Sequence, residues 1–148
     1  MHNSPEMTLD PQQVEANVVA DLPKVVLHDH LTGGMRPSTL VELAAQAGYD
    51  GLPSDDPEEV ARWFVEAGNA GSLPAHLEAF AHTSAVTQTA ESLTRIAREA
   101  VEDLAGDRVV YAELRIAPEL HVDGGLSTQE VVDAVVEGLG QGEQAAAE

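Results

Sequence analysis

The sequence has no cysteine, which excludes disulfide bonds, a thiolate nucleophile and a cysteine-ligated zinc site. Basic residues are scarce, because 7 Lys and Arg stand against 26 Asp and Glu and leave a formal net charge of −19. Such a charge repels phosphate backbones and anionic lipids, so we expect no nucleic-acid partner and no membrane partner. Aromatic residues make up only 3% of the chain, and the core must therefore be built from Val, Leu and Ala.

Targeting and membrane-spanning patterns are also missing. The first 20 residues lack the basic start and apolar centre of a secretory signal, and no apolar run approaches the thickness of a bilayer. We therefore expect a cytoplasmic protein. The 148 residues suffice for one modest domain. A polar, proline-containing start predicts a flexible tail over residues 1–20, followed by a domain over residues 21–148.

The strongest signal is the stretch Lys24–Pro37, which begins as an apolar, β-branched run and ends in two glycines and Arg-Pro. This pattern predicts a buried strand that turns into a helix. Side chains alternate along a strand, so His28 and His30 are predicted to share a face at its carboxyl end, where α/β enzymes keep their chemistry. Two imidazoles there form half of a metal site. A pair of solvated surface histidines is the alternative that the pattern leaves open.

The other face of this strand carries Val25, Leu27 and Leu31 beside Asp29, and we expect helices to cover it. A second strand is predicted over residues 108–116. Its apolar face is expected to carry Val110, Ala112, Leu114 and Ile116. Two interpretations stay open for its polar face. It is either the solvated side of an ordinary strand, or the inner side of a barrel strand on which Glu113 and Arg115 form a polar layer.

Capping and helix-breaking residues divide the remainder into helices. The predicted helices run from Pro37 to Gly48, from Pro57 to Gly68, from Ser72 onward, over about residues 90–105, and from Ser127 toward the end. The stretch between the two strands is much longer than one crossover helix, and we interpret it as a helical insertion. Glycines at 138, 140 and 142 are expected to weaken the last helix.

Three segments carry further motifs. Leu22–Leu40 contains Leu-Pro-Lys-Val-Val-Leu-His-Asp-His-Leu-Thr-Gly-Gly-Met-Arg-Pro, Ser72–Phe80 begins Ser-Leu-Pro, and Val109–Pro118 reads Val-Val-Tyr-Ala-Glu-Leu-Arg-Ile-Ala-Pro. In this order they resemble the first strand, the active-site lid helix and the second barrel strand of the adenosine deaminase family. The resemblance implies an α/β fold: the N-terminal part of a (β/α)₈ TIM barrel, with a helical insertion between the first two strands.

The resemblance also implies a site. Zn²⁺ would be the cofactor, with His28 and His30 as metal ligands. The substrate-binding residues that it implies are His30, Thr32, Gly33, Leu73, Leu77 and Phe80. Three other histidines have no such role: His76 stands where the family often has an apolar residue, and His82 and His121 could be recruited to the metal only if the fold departed from the family.

The implied reaction is the hydrolytic deamination of adenosine or 2′-deoxyadenosine to inosine or 2′-deoxyinosine and ammonia, a step of purine salvage. The implied partner is a small-molecule purine nucleoside, and the oligomeric state stays open. One alternative is a deaminase of another purine, such as adenine or an AMP-like compound. A different alternative is a non-catalytic fragment or binding module.

Two departures from the family pattern matter. Thr32 stands where the family has an aspartate that binds the ribose 5′-hydroxyl, so weaker nucleoside binding or a changed substrate is predicted. The family's third zinc histidine, its His-x-x-Glu segment and its Asp-Asp pair are expected downstream, so we predict no catalytic residue within this chain. A TIM barrel typically needs about 250 residues. We therefore expect the chain to be incomplete, and inactive alone.

Overall fold

The computed structural model describes residues 16–69, 71 and 73–147 of the chain. Most of the predicted tail, residues 1–15, lies outside the described residues, and its end forms a short helix, α1 (Ala16–Asp21). The elements that follow are β1 (Lys24–His30), a 3₁₀ turn (Leu31–Gly34), α2 (Pro37–Ala47), α3 (Pro57–Gly68), α4 (Leu73–Ala85), α5 (Ala90–Gly106), β2 (Val109–Arg115), a second 3₁₀ turn (Pro118–His121) and α6 (Thr128–Ala146). Among the described helices, none combines the length and apolar composition that crossing a bilayer requires.

Helix boundaries follow the local capping residues. Pro37 occupies the first turn of α2, and Gly48 ends that helix with a left-handed backbone, φ 65°. The Asp56 carboxylate accepts hydrogen bonds from two backbone N–H groups in the first turn of α3. Ser127 heads α6 in a capping box. Asp56 and Ser127 satisfy N–H groups that their helices leave unpaired, and so they determine where α3 and α6 begin. The predicted helices are confirmed.

The two strands lie side by side and parallel, with α2 to α5 between them in the chain. Their pairing is irregular. Val26 pairs with Ala112 and Asp29 pairs with Leu114, so three steps along β1 match two steps along β2. The extra residue is accommodated by a positive φ of 62° at His28. Such a bulge bends a strand and interrupts the alternation of its side chains.

The bulge and the register overturn part of the predicted facing of β1. Val25 and Leu27 were expected beneath the helices, but they are 56% and 64% exposed. Val26, which belongs to the opposite predicted face, is half-buried instead, whereas Asp29 is half-buried as predicted. The reason is that Val26 and Asp29 pair with residues on the helix-covered face of β2, whereas Val25 pairs with the exposed Tyr111.

The facing of β2 agrees with the prediction in its carboxyl half. Leu114 and Ile116 pack against the buried core, while Glu113 and Arg115 are exposed on the opposite face. That face continues the exposed side of β1. Helices therefore cover one side of this two-stranded sheet, and its other side is open.

The core lies between the sheet and the helices, and its tightest contact joins α5 to α6. A Cβ added to Gly138 would collide with the carbonyl oxygen of Thr94, and one added to Gly142 would lie 2.6 Å from the Cβ of Val101. Glycine costs a helix about 1 kcal/mol relative to alanine. The prediction that these glycines only weaken α6 is therefore incomplete, because two of them allow its close approach to α5.

Arg36 ties the turn that follows β1 to the end of α5. Its Nε donates to Asp103 Oδ2 at 3.0 Å, and its Nη2 donates to Asp103 Oδ1 at 2.7 Å and to Glu102 Oε2 at 3.2 Å. The hydrogen bonds that Arg36 donates to Asp103 raise the pKa of Arg36 above its usual value. Paired N–H donors bind a carboxylate with a defined geometry. This contact therefore holds the segment that carries the candidate site against the helical layer.

Candidate metal and substrate site

His28 and His30 lie at the carboxyl end of β1, and both residues are exposed. Their ring centroids are 5.8 Å apart, with 49° between the ring planes. Two imidazoles that bind one tetrahedral zinc ion through bonds of about 2.0–2.1 Å place their centroids about 5 Å apart. The pair therefore fits the chemistry and approximate spacing of two ligands to one zinc ion. The strained φ of His28 belongs to a class of backbone outliers that cluster at functional sites.

No third ligand completes the pair within the part of the chain that the structure describes. There, no three His, Asp or Glu side chains come close enough together to hold a metal ion. His82 instead hydrogen-bonds to Tyr49, and His121 is buried beside Thr87. The side chain of His76 lies outside the described residues. The two conditional recruits, His82 and His121, are thus placed away from the site.

Asp29 shapes the backbone between the two histidines. Its Oδ1 accepts a hydrogen bond of 2.8 Å from the backbone N–H of His30. This bond orients the peptide that carries His30. A polar partner was required for an aspartate on this partly covered face, because burial of an unpaired carboxylate is costly.

A cavity of about 400 Å³ opens beside His30. Asp29, His30 and Gly33 form its strand side. Its helix side consists of Phe64, Val65 and Gly68 from α3 and Ala79, Phe80 and Thr83 from α4. A mostly apolar lining with a few polar groups is typical of small-molecule sites, which occupy about 300–1,000 Å³.

Phe80 connects this cavity to the histidine pair. Its ring meets the ring of His30 edge-on, with centroids 5.6 Å apart and 66° between the planes. The same ring lies over Gly33, where an added Cβ would be 3.4 Å from two of its carbons. The absence of a side chain at Gly33 therefore leaves the space between the turn and Phe80 open. The structure thus brings four of the predicted site residues together: His28, His30, Gly33 and Phe80.

The other predicted substrate residues lie differently. Thr32 is 9% exposed and lines a second, smaller cavity of about 230 Å³ beneath the 3₁₀ turn, together with Met35, Leu40 and Val60. It does not line the 400 Å³ cavity. Leu77 on α4 is 54% exposed. The side chain of Leu73 lies outside the described residues.

Sequence reasoning missed the contribution of α3 to this site. Phe64, Val65 and Thr83 are not among the site residues that the sequence predicts. Phe64 lines both cavities, and its helix supplies much of the wall opposite His30. The signal that could have found it is the pair of adjacent aromatic residues, Trp63 and Phe64, in a chain with so few aromatics. Local periodicity could not show that α3 and α4 meet at the end of β1.

The family model for adenosine deaminase matches residues 23–147 of the chain. The chain belongs to the adenosine deaminase family. It is 60% identical over 129 residues to an adenosine deaminase of Mycobacterium sp. (strain KMS), a match that covers 87% of this chain and 36% of that protein. The chain therefore spans about a third of the length of this relative.

The chain also superposes on part of larger solved structures. An adenine deaminase from Arthrobacter aurescens superposes with a TM-score of 0.69 at 28% sequence identity, covering 83% of this chain and 36% of that one. A COG1816 amidohydrolase from Burkholderia ambifaria, determined with bound Zn, superposes with a TM-score of 0.74 at 24% identity, covering 96% of this chain and 38% of that one. These neighbours are TIM-barrel proteins, and the adenosine deaminase family member described here comprises part of that α/β architecture, as the sequence predicted.

Proposed function

We propose that this chain supplies the N-terminal third of a zinc-dependent hydrolase that deaminates adenosine or 2′-deoxyadenosine, with water as co-substrate and inosine or 2′-deoxyinosine and ammonia as products. The observation that carries the proposal is the His28–His30 pair, with ring centroids 5.8 Å apart at the carboxyl end of a parallel strand. This strand end is where TIM-barrel enzymes assemble their active sites. The 60% identity to a Mycobacterium adenosine deaminase supports the reaction class.

His28 and His30 would hold the zinc ion through their neutral imidazoles. When bound, zinc makes water a nucleophile at neutral pH, because it lowers the pKa of that water from about 15.7 toward about 7. The remaining ligand and the groups that transfer protons belong to the downstream part of the family pattern. A site assembled from both parts would explain why the described residues offer two histidines and no third ligand.

The cavity beside His30 would hold the purine. Phe80 and Phe64 offer ring faces and edges to a planar base, and Thr83 and Asp29 are polar groups at its boundary. Aromatic contacts of this kind are worth about 0.5–1.5 kcal/mol beyond the area that they bury. Phe80 lines the cavity and packs edge-on against His30, so its ring would shield part of a bound base from bulk water.

A second candidate substrate is adenine, which has no ribose. The observation that favours it is Thr32, which replaces the aspartate that the family pattern uses for ribose and lies outside the 400 Å³ cavity. The similarity to an adenine deaminase at 28% identity gives this candidate further support. Adenosine remains the first choice, because the chain is much closer in sequence to the Mycobacterium adenosine deaminase.

A chimera tests the proposed function directly. Residues 1–147 of this chain would replace the matched region of the Mycobacterium relative, and ammonia release would be measured with adenosine and with adenine. We expect turnover of adenosine that His28→Ala and His30→Ala each abolish. A chimera that folds and binds zinc yet deaminates neither purine would overturn the proposal and favour a non-catalytic module. Turnover of adenine with no turnover of adenosine would select the second candidate.

A further inference from the structure

A cluster of four rings lies behind the candidate substrate cavity. His82 of α4 meets Trp63 of α3 at 5.1 Å between ring centroids and 80° between planes. It meets Tyr49, in the segment after α2, at 6.0 Å, and Phe64 of α3 at 6.4 Å. All four side chains are partly buried. Only 3% of the chain is aromatic, so these rings are concentrated at one place in the fold.

The cluster contains one specific polar contact. The Tyr49 hydroxyl and His82 Nδ1 are 2.7 Å apart and share a hydrogen bond, with the tautomer of the ring determining which group donates. The bond joins side chains 33 residues apart in the chain. A short hydrogen bond among partly buried rings restrains direction as well as distance, which edge-on ring contacts alone do less well.

His82 is two positions away from Phe80 on the same helix. Residues two apart on an α-helix point in nearly opposite directions, because each step rotates by about 100°. Tyr49 therefore holds α4 from one side, while α4 presents Phe80 to His30 on the other side, at 5.6 Å between ring centroids. Phe64 completes the connection, because it contacts His82 and also lines the cavity.

We propose that Tyr49 and His82 are a positioning pair: their hydrogen bond holds α4 so that Phe80 packs against His30 and closes over the purine in the 400 Å³ cavity. This inference rests on the proposed function for the identity of the ligand. Neither residue touches the cavity, so both act through Phe80 and not on the reacting atoms.

The variants separate the hydrogen bond from the ring contacts. Tyr49→Phe and His82→Leu each remove the bond, and the double variant removes both partners. His82→Asn keeps a polar atom near the position of Nδ1 while it removes the imidazole ring. Tyr111→Phe is the matched control, because it also deletes a tyrosine hydroxyl that donates a hydrogen bond, in this case to Glu113. Tyr111 pairs with Val25, at the end of β1 that is far from His30.

Three measurements on the 148-residue chain read the outcome. The first is the nuclear Overhauser effect between the rings of Phe80 and His30. The second is the dissociation constant for adenosine, followed by NMR. The third is the dissociation constant for Zn²⁺. We expect Tyr49→Phe and His82→Leu to weaken the ring contact and to bind adenosine about 5-fold more weakly, the equivalent of about 1 kcal/mol for one hydrogen bond. The double variant should lose no more adenosine affinity than either single variant. His82→Asn should retain most of the wild-type affinity for adenosine.

Zinc affinity separates positioning from general destabilisation. Zn²⁺ binding should be unchanged in Tyr49→Phe, because neither His28 nor His30 moves, whereas partial unfolding would weaken zinc and adenosine binding together. The proposal is overturned if Tyr49→Phe leaves both the Phe80–His30 contact and adenosine binding at the level of Tyr111→Phe, or if His82→Asn behaves like His82→Leu. If the wild type binds no adenosine, the ring contact alone decides whether the pair positions Phe80, and the chimera still tests the proposed function separately.

Discussion

Two glycines of α6, Gly138 and Gly140, offer a stability test in which alanine should stabilise the protein only at Gly140. Gly138 and Gly142 face α5, whereas nothing lies within 4 Å of a Cβ added to Gly140. Alanine at either Gly138 or Gly140 should gain helix propensity, about 1 kcal/mol relative to glycine. Because this gain is common to both variants, the difference between them measures the contact with α5.

The magnitude follows from the neighbours of each position. A Cβ at Gly138 would overlap the Thr94 carbonyl oxygen and lie 2.7 Å from the Cβ of Ala97. Both neighbours belong to the α5 backbone or are fixed to it, so the helices must separate. Overpacking of this kind costs about 1–3 kcal/mol. We therefore expect Gly140→Ala to raise the free energy of unfolding by up to about 1 kcal/mol, and Gly138→Ala to lie about 1–3 kcal/mol below Gly140→Ala.

Urea denaturation followed by circular dichroism measures both variants against the wild type. A difference of 1 kcal/mol also corresponds to a shift of about 3–4 °C in Tm for a domain of this size. Equal stabilisation by Gly138→Ala and Gly140→Ala would refute the close α5–α6 contact. So would a Gly138→Ala variant that is more stable than Gly140→Ala.

Three further predictions concern substrate, pH and capping. In the chimera described above, Thr32→Asp should lower the KM for adenosine by about 10-fold or more, since a hydrogen bond to a charged group is worth about 1.5–3 kcal/mol; an unchanged KM would show that this position does not govern ribose binding. Burial lowers the pKa of His121, so the unfolded chain binds more protons than the folded chain just below the unfolded pKa of about 6.5. Stability should therefore be full above that pH and fall as the pH drops, and His121→Gln should flatten this part of the urea-derived stability profile. Ser127→Ala should cost about 1 kcal/mol through loss of the α6 cap, whereas Ser38→Ala, at an exposed position in the first turn of α2, serves as the control.

Local signals account for most of what the sequence predicted well. The starts of α3 and α6 could be placed because Asp56 and Ser127 satisfy nearby backbone N–H groups, a contact that involves only a few consecutive residues. The position of β1 could be placed from its apolar run. The bulge at His28 could not, because it arises from the register of β1 against β2, about 85 residues later in the chain.

The same difference between local signals and distant contacts applies to the candidate site. His28 and His30 were identified from their spacing on one strand, and the rings do lie close together. Phe64 and the Tyr49–His82 hydrogen bond depend on how α2, α3 and α4 pack against one another. Periodicity assigns such residues to an apolar face, but it does not indicate which distant residues they contact.

Zinc binding by the histidine pair tests the central claim most directly. Isothermal titration of the metal-free chimera, in which the downstream ligands are present, with ZnCl₂ should show one ion bound per chain, and His28→Ala and His30→Ala should each abolish this binding. His82→Asn, which alters a histidine outside the pair, should bind zinc like the wild type. Absence of zinc binding, or binding that persists undiminished in both alanine variants, would contradict the assignment of His28 and His30 as ligands.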